Sequence, residues 1–220
     1  MSRDVTTPKD HFTPETFGDR VALIFVKALR FVADKFFAGR YGHRAVVLET
    51  VAAVPGMVGG LLQHLRALRH IRDDHGWVHE LLDEADNERM HLMTFVHVAQ
   101  PTAFERAIIM CTQAVFYNFY FWLYLFAPSV AHRVVGYFEE EAVVSYTRYL
   151  EDIDAGNHPN PPAPKVAIEY WNMPRNATLR DVVVQVREDE AGHRDRNHYF
   201  ADALRRNEPP VGRAHTAPAE

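Results

Sequence analysis

The 220-residue sequence is poor in cysteine, and Cys111 is its single example. One thiol excludes a disulfide framework, a CxxC zinc site and a cysteine-ligated iron–sulfur cluster within one chain. An excess of positive charge is also lacking, since the formal net charge is −5, so we expect no nucleic-acid partner. Any metal site must therefore use carboxylates and imidazoles, which 29 acidic residues and 13 histidines supply.

The start of the chain lacks the usual targeting signals. Residues 1–10 contain neither the apolar run of a signal peptide nor the Arg- and Ser-rich, acid-poor composition of a transit peptide. This composition indicates a bacterial cytoplasmic chain or an already trimmed one. Because 47% of the residues are apolar, the chain has enough core-forming side chains to exclude disorder.

Strand-like alternation is weak, and helical periodicity extends over six segments. These predicted helices are 20–38, 42–70, 76–98, 102–126, 129–154 and 179–205. Capping boxes at Thr102 and Thr178 support two of the starts. The segment 155–177, rich in Pro and Asn, predicts a long crossover loop. We therefore predict an all-α helical bundle, with a flexible N-terminal segment (1–19), a single helical domain (20–206) and a flexible C-terminal tail (207–220).

Two of these segments suggest contact with a membrane. Residues 107–131 contain no charged side chain and are long enough to span a bilayer, but their composition is that of an aromatic belt. The alternative is a buried core helix, in which we expect Cys111 to be a packing residue.

In 20–38, Lys27, Arg30 and Asp34 share one narrow face and leave a broad apolar face, as in an interfacial helix. An ordinary core-facing amphipathic helix is the alternative. The basic run 66–72 is consistent with contact to anionic headgroups or with a solvated helix end.

Two Glu-x-x-His pairs occur within predicted helices, and each can place a carboxylate and an imidazole on one helix face. The pairs are Glu88 with His91 and Glu190 with His193. Their number is not unusual for this composition, and either pair alone is more often surface decoration. Their position in the middle of predicted helices makes them candidates for a shared cation.

Two more glutamates lie in other helices of the bundle. Glu49 is surrounded by apolar residues, and a buried carboxylate there is costly unless it is paired or binds a metal. Glu139 begins a run of three glutamates, of which at least one must face inward. The order Glu, ExxH, Glu, ExxH matches ferritin-like di-iron and di-manganese bundles. A single membrane crossing by 107–126 would separate Glu88 from Glu139, so we expect the protein to lie on one leaflet.

The chain resembles the alternative oxidases, the cyanide-insensitive quinol oxidases of the di-iron carboxylate class, over about residues 40–200. The matching motifs are Leu48-Glu49-Thr50-Val51-Ala52, Asn87-Glu88-Arg89-Met90-His91-Leu92, Gly136-Tyr137-Phe138-Glu139-Glu140-Glu141-Ala142, Ser145-Tyr146-Thr147 and Asp189-Glu190-Ala191-Gly192-His193-Arg194. The resemblance implies a ferritin-like bundle with extra membrane-interface helices. It implies two Fe ions held by Glu49, Glu88, His91, Glu139, Glu190 and His193. It further implies a homodimer on a membrane surface that oxidises ubiquinol and reduces O₂ to water.

The same resemblance assigns roles to other positions. Tyr146 matches the family's redox-active tyrosine. The positions that match the quinol pocket are Arg44, Leu48, Glu141, Ala142 and Ser145. The positions that match ligand-orienting residues are Asn87, His132, Trp171 and Asp189. Position 145 is Ser where Thr is common in the family. Because residues 1–42 contain no cysteine, we do not expect thiol-based regulation.

We therefore expect a ubiquinol:oxygen oxidoreductase that pumps no protons. It would lie on the cytoplasmic face of a bacterial inner membrane, or on the matrix face of the mitochondrial inner membrane if organellar. Three alternatives are open at this point. They are a di-iron quinone-biosynthesis hydroxylase, a non-enzymatic iron-binding bundle and a metal-free interaction bundle.

Overall fold

The computed structural model of the protein describes residues 11–37 and 41–212. Within these ranges the chain forms seven helices and no strand, so the predicted all-α fold is confirmed. The helices are α1 (Phe17–Phe37), α2 (Tyr41–His70), α3 (Trp77–Ala99), α4 (Ala103–Phe126), α5 (Pro128–Asp154), α6 (Lys165–Tyr170) and α7 (Leu179–Arg205).

Four long helices form the bundle, and α2 packs mainly against α3 while α5 packs mainly against α7. Small residues let each pair approach closely. A Cβ added to Gly56 on α2 would lie 2.3 Å from the carbonyl oxygen of Leu81 on α3, and one added to Gly136 on α5 would lie 2.6 Å from the His198 ring on α7. The lack of a side chain at these two glycines is thus what permits the observed helix spacing.

The predicted helices are present, and the boundaries differ for identifiable reasons. The first helix begins at Phe17 because Thr16 and Asp19 exchange capping hydrogen bonds, from Asp19 N to Thr16 Oγ1 at 3.1 Å and from Thr16 N to Asp19 Oδ2 at 2.9 Å. The capping boxes predicted at Thr102 and Thr178 are both formed. The crossover segment 155–177 contains the short helix α6, which sequence periodicity did not predict.

The two outer helices expose much of their apolar surface. Within α4, the buried side chains are Tyr120 and Tyr124, so the alternative of a buried core helix does not hold. Cys111 is exposed and is therefore not the packing residue that we expected. By length and composition α2 and α4 could each cross a membrane, but α2 is mostly buried in the bundle whereas 11% of the tested α4 window is buried.

The flexible segments predicted at 1–19 and 207–220 lie partly outside the described residues. Of the part that is described, residues 11–16 contact α5 and α7, and the backbone N–H of Gly212 donates to the carbonyl oxygen of His75 at 2.9 Å. The basic run at the end of α2 is exposed along Arg66, Arg69 and Arg72.

Candidate metal centre

The bundle brings the six predicted ligands together in its interior. They form two overlapping groups whose ligand atoms lie within 4.8 Å of one another. One group consists of Glu49, Glu88, His91 and Glu190, and the other of Glu88, Glu139, Glu190 and His193. All six side chains are buried, and they come from α2, α3, α5 and α7.

One imidazole lies at the centre of the first group. His91 Nδ1 is 3.3 Å from Glu88 Oε2, 3.4 Å from Glu190 Oε1 and 3.5 Å from Glu49 Oε2. The His91 ring has no exposed surface. One nitrogen thus faces oxygens from three helices, which is the arrangement expected around a shared cation.

The second imidazole repeats the arrangement. His193 Nδ1 lies 2.6 Å from Glu88 Oε1 and 3.6 Å from Glu190 Oε2. Glu88 and Glu190 each direct one oxygen towards each histidine, so these two carboxylates belong to both groups. Such carboxylates can bridge two cations.

Six of the ligand atoms in the cluster have no hydrogen-bond partner among the described residues. The buried side-chain atoms of the cluster that lack a hydrogen-bond partner among the described residues are Glu49 Oε2, both oxygens of Glu88, His91 Nδ1, Glu190 Oε2 and His193 Nδ1. Buried polar atoms without partners are costly, and carboxylates are costlier still. Oxygen and imidazole donors in this number fit two divalent cations of hard or borderline character, iron included.

The electrostatics of the centre also favour bound cations. Burial and the negative charges of Glu190 and Glu88 raise the pKa of Glu49 and of Glu139 well above the usual value. Burial acts in the same direction on Glu88, but His91 and His193 outweigh it, and its pKa falls well below the usual value. Without cations, the four carboxylates therefore cannot all ionise at low cost.

Asp189 holds His91 from the side away from the cluster. Its Oδ2 lies 3.3 Å from His91 Nε2, and it accepts hydrogen bonds from Trp171 Nε1 at 2.9 Å and from Asn87 Nδ2 at 3.2 Å. Its other oxygen accepts from Gln185 Nε2 at 2.9 Å. This network leaves Nδ1 of His91 directed at the carboxylates.

Tyr146 donates a hydrogen bond to Glu49 Oε1. Its ring stacks on Phe95 with 5.6 Å between centroids. Burial and the charge of Glu49 raise the pKa of Tyr146 well above its usual value, so the phenol keeps its proton.

The positions that match a quinol pocket lie where α1 meets α2 and α5. Arg44 pairs with Asp34, which also accepts from Arg30 Nε at 3.3 Å, and Arg30 and Lys27 pair with Glu141. The narrow polar face of α1 is therefore paired with α2 and α5, although Lys27 and Asp34 themselves are exposed. Leu48, Ala142 and Ser145 are half-buried, and Ser145 Oγ donates to the carbonyl oxygen of Glu141 at 2.8 Å.

His132 contacts none of the six candidate ligand side chains. Its Nδ1 lies 2.9 Å from Asn197 Oδ1, its Nε2 lies 3.1 Å from the Tyr124 hydroxyl, and burial lowers its pKa to about 4. Asn197 in turn donates to the His193 carbonyl oxygen at 3.0 Å and to Glu84 Oε1 at 2.9 Å.

Sequence reasoning missed Glu84, a buried carboxyl whose pKa burial raises to about 7. The signal was available, because Glu84 lies four residues before Glu88 and so shares its helix face.

The chain is similar to known proteins over most of its length. The sequence profile of the alternative oxidase family matches residues 3–202. The mitochondrial ubiquinol oxidase of Batrachochytrium dendrobatidis is 57% identical over 194 residues, which are 88% of this chain and 61% of that protein. Ubiquinol oxidase 1a, mitochondrial, of Oryza sativa is 55% identical over 208 residues, covering 92% of this chain and 63% of the relative. Its Arabidopsis thaliana counterpart is 57% identical over 194 residues, covering 88% and 55%. The chain thus spans about six-tenths of the length of these relatives, and it belongs to the alternative oxidase family.

Proposed function

We propose that the chain is a membrane-surface quinol oxidase with a di-iron centre. In the overall reaction two ubiquinol molecules are oxidised to ubiquinone, and one O₂ takes up four electrons and four protons to give two molecules of water. The observation that carries this proposal is the convergence of six buried side chains, five of which have at least one ligand atom without a hydrogen-bond partner among the described residues. Family membership and the names of the relatives support the choice of substrates.

In this proposal Glu49, Glu88, His91, Glu139, Glu190 and His193 hold two Fe ions. Glu88 and Glu190 would contribute to holding both ions, because each of these carboxylates faces both histidines. The bound metal would supply the redox chemistry with O₂, and the protein supplies binding and orientation. Four carboxylates nearly neutralise two divalent ions, which makes this charge tolerable in a bundle core.

The surrounding residues would orient this centre. Asp189, supported by Trp171 and Asn87, fixes the tautomer and the direction of the His91 ring. Tyr146 holds a proton at its hydroxyl, in a hydrogen bond to Glu49. In this proposal it would give a proton and an electron to the centre, and ubiquinol would return both. His132 would act indirectly, because it is hydrogen-bonded to Asn197, which in turn donates to the backbone carbonyl oxygen of His193.

Ubiquinol would bind where α1, α2 and α5 meet, near Arg44, Leu48, Glu141, Ala142 and Ser145. The charged pairs there offer donors and acceptors to the quinol hydroxyls. The half-buried apolar side chains suit the ring and the isoprenoid tail. Arg44 is the proposed donor to a quinol oxygen.

The membrane-facing surface would be formed by α1 and α4. Their large exposed side chains support this, among them Ile24, Phe31, Val32, Val115, Trp122 and Phe126. The surface would rest on the matrix face of the mitochondrial inner membrane, or on the cytoplasmic face of a bacterial one. The protein would act there as a homodimer and would pump no protons.

The test is O₂ consumption by the purified protein with ubiquinol-1 in detergent and cyanide, measured alongside iron stoichiometry. Glu88→Ala should abolish both bound iron and quinol-dependent O₂ uptake, whereas Glu188→Ala, an exposed glutamate on α7, should change neither. Retained activity in Glu88→Ala would refute the ligand assignment. With ¹⁸O₂, the label should appear in water; label in an organic product would indicate a hydroxylase instead.

A further inference from the structure

A second buried polar cluster lies outside the metal centre, around Arg133 on α5. The Arg133 side chain is 1% exposed. Its Nε donates to Asp19 Oδ1 at 2.9 Å, one terminal nitrogen donates to His198 Nδ1 at 2.8 Å, and the other pairs with Asp202. A buried guanidinium is tolerated only when its donors are satisfied in this way. Arg133 therefore ties the start of α1 to α5 and α7.

Residues 11–16, which we call the N-terminal clip, dock on this cluster through Phe12. The Phe12 ring lies over the Arg133 guanidinium, with 3.6 Å from Cζ to the ring centroid. It stacks on the His198 ring with 4.8 Å between centroids and an interplanar angle of 21°. Cation–π and stacking contacts on two partners make Phe12 an anchor rather than a passing surface contact.

The backbone of Phe12 is held as well as its ring. Its N–H donates to Glu140 Oε1 at 2.8 Å, and its carbonyl oxygen accepts from the Tyr137 hydroxyl at 3.2 Å. The neighbouring His11 pairs with the other Glu140 oxygen. The backbone of Phe12 and the side chain of His11 are thus bound by Tyr137 and Glu140 of α5.

This cluster is joined directly to the ligand-bearing turns. Glu140 also accepts from His198 Nε2 at 2.9 Å, and it is adjacent in the chain to Glu139, a proposed ligand. The His198 ring lies against Gly136, where a Cβ would come within 2.6 Å. The clip, α5 and α7 therefore share one close-packed layer about one turn from Glu139.

We propose that the N-terminal clip is a brace that holds α5 and α7 in register, so that Glu139 meets Glu190 and His193, with Phe12 as its anchor and Arg133 as the positioning residue. The clip touches no candidate ligand itself and acts through Glu140, His198 and Arg133. The consequence for metal retention rests on the proposed di-iron function. The docking of the clip on α5 and α7 is independent of that function.

The test compares Phe12→Ala with Phe104→Ala in the full-length protein. Phe104 is 74% exposed at the start of α4, which makes it a matched control for loss of a phenyl ring. Four quantities are measured on each variant. They are amide hydrogen exchange over residues 11–19 and 136–143, the rate at which iron passes to an external chelator, the helical circular dichroism and the EPR spectrum of the iron-loaded protein.

We expect Phe12→Ala to exchange the amides of residues 11–19 at least about tenfold faster than wild type and to release iron about tenfold faster, with unchanged helical circular dichroism. The EPR spectrum of its iron-loaded, one-electron-reduced (mixed-valent) form should also shift, which a merely structural loss distant from the metal would not cause. Phe104→Ala should match wild type in all four measurements. Phe12→Tyr, which keeps the ring, should restore the wild-type values.

Arg133→Met supplies a second, independent test. If the two residues act through one layer, iron release from the double variant Phe12→Ala/Arg133→Met should be no faster than from Arg133→Met alone. If the two substitutions instead increased the rate of iron release by the product of their separate effects, Phe12 and Arg133 would act independently, and the proposal of a shared brace would be overturned. Should Arg133→Met not fold, the Phe12 variants still decide the proposal.

Two results would overturn the proposal from different sides. Unchanged exchange of residues 11–19 in Phe12→Ala would mean that Phe12 does not anchor the clip. Faster exchange with wild-type iron release would mean that the clip docks but positions nothing. If the wild type bound no iron, the proposed function would fail, and exchange at residues 136–143 would still decide whether the clip braces α5.

Discussion

At the residue scale, the candidate ligands differ from the other acidic side chains in how their atoms are satisfied. Glu140 is also buried, yet it is held by His198 and by the backbone of Phe12. Both oxygens of Glu88 lack a hydrogen-bond partner among the described residues. Burial alone therefore does not mark a metal ligand in this protein. Five of the six candidate ligands, all but Glu139, combine burial with at least one ligand atom that has no hydrogen-bond partner among the described residues.

Asp189→Asn tests the residue that orients His91. The amide can still occupy the site, but it loses the negative charge that pairs with the imidazole. We expect iron affinity to fall about 10- to 100-fold, with the fold retained. Competitive chelation measures this loss, and Asp154→Asn, at an exposed pair with Arg180, is the control. Unchanged iron affinity in Asp189→Asn would show that Asp189 does not orient His91 for metal binding.

His132→Gln tests a buried neutral imidazole through the pH dependence of stability. The pKa of His132 falls from 6.5 to about 4 on folding because burial disfavours the charged ring. A lowered folded pKa gives stability that is complete above pH 6.5 and is lost as the pH falls towards 4. We therefore expect the free energy of unfolding of the wild type to fall by up to about 3 kcal/mol more than that of His132→Gln as the pH is lowered over this interval. Denaturant unfolding at several pH values measures the difference, and parallel curves for the two proteins would contradict it.

The residues differ in how far sequence could identify them. Glu49 and the two ExxH pairs were predictable because a carboxylate in an apolar helix and paired ligands at helical spacing are local signals. The link from His132 through Asn197 was not, because it joins α5 to α7 across a contact that no local pattern encodes. Glu84 was missed although its spacing from Glu88 was visible.

At the element scale, most helices follow from periodicity and capping, and the exceptions have physical causes. The short helix α6 has six residues, fewer than two turns, so no period could reveal it. The aromatic composition of α4 predicted either a membrane surface or a core. Only the packed structure shows that its outer face is uncovered, because exposure depends on where the neighbouring helices lie.

The glycines of the helices offer a prediction with opposite signs. Gly56→Ala should destabilise the protein by about 1 to 3 kcal/mol, because the new methyl group would meet the Leu81 carbonyl and α2 would have to move away from α3. Gly192→Ala should stabilise it by about 0.5 to 1 kcal/mol, because nothing lies within 4 Å and alanine favours the helix. Thermal unfolding of both variants checks the pair, and a neutral Gly56→Ala would contradict the tight α2–α3 contact.

At the scale of the whole molecule, the buried charges make stability depend on the metal. In the metal-free protein the pKa values of Glu49, Glu139, His91 and His193 are all raised, whereas that of Glu88 is lowered. A raised folded pKa gives stability that is present at low pH and is lost as the pH rises through the folded value. The balance therefore favours the protonated centre when no cation is bound.

We accordingly expect the metal-free protein to lose stability as the pH rises from 5 to 8. The iron-loaded protein should show the reverse trend, because metal binding requires deprotonated ligands. Melting temperatures of both forms, measured before and after chelation across this range, check the prediction. Identical pH trends would show that the six side chains are not the site from which the chelator removes metal.

The most direct measurement of the central claim is anomalous X-ray scattering at the iron absorption edge from crystals of the iron-loaded protein. We predict two anomalous peaks inside the bundle. One should lie among Glu49, Glu88, His91 and Glu190, and the other among Glu88, Glu139, Glu190 and His193. A crystal with full iron occupancy elsewhere, or with no peak between these carboxylates and imidazoles, would contradict it.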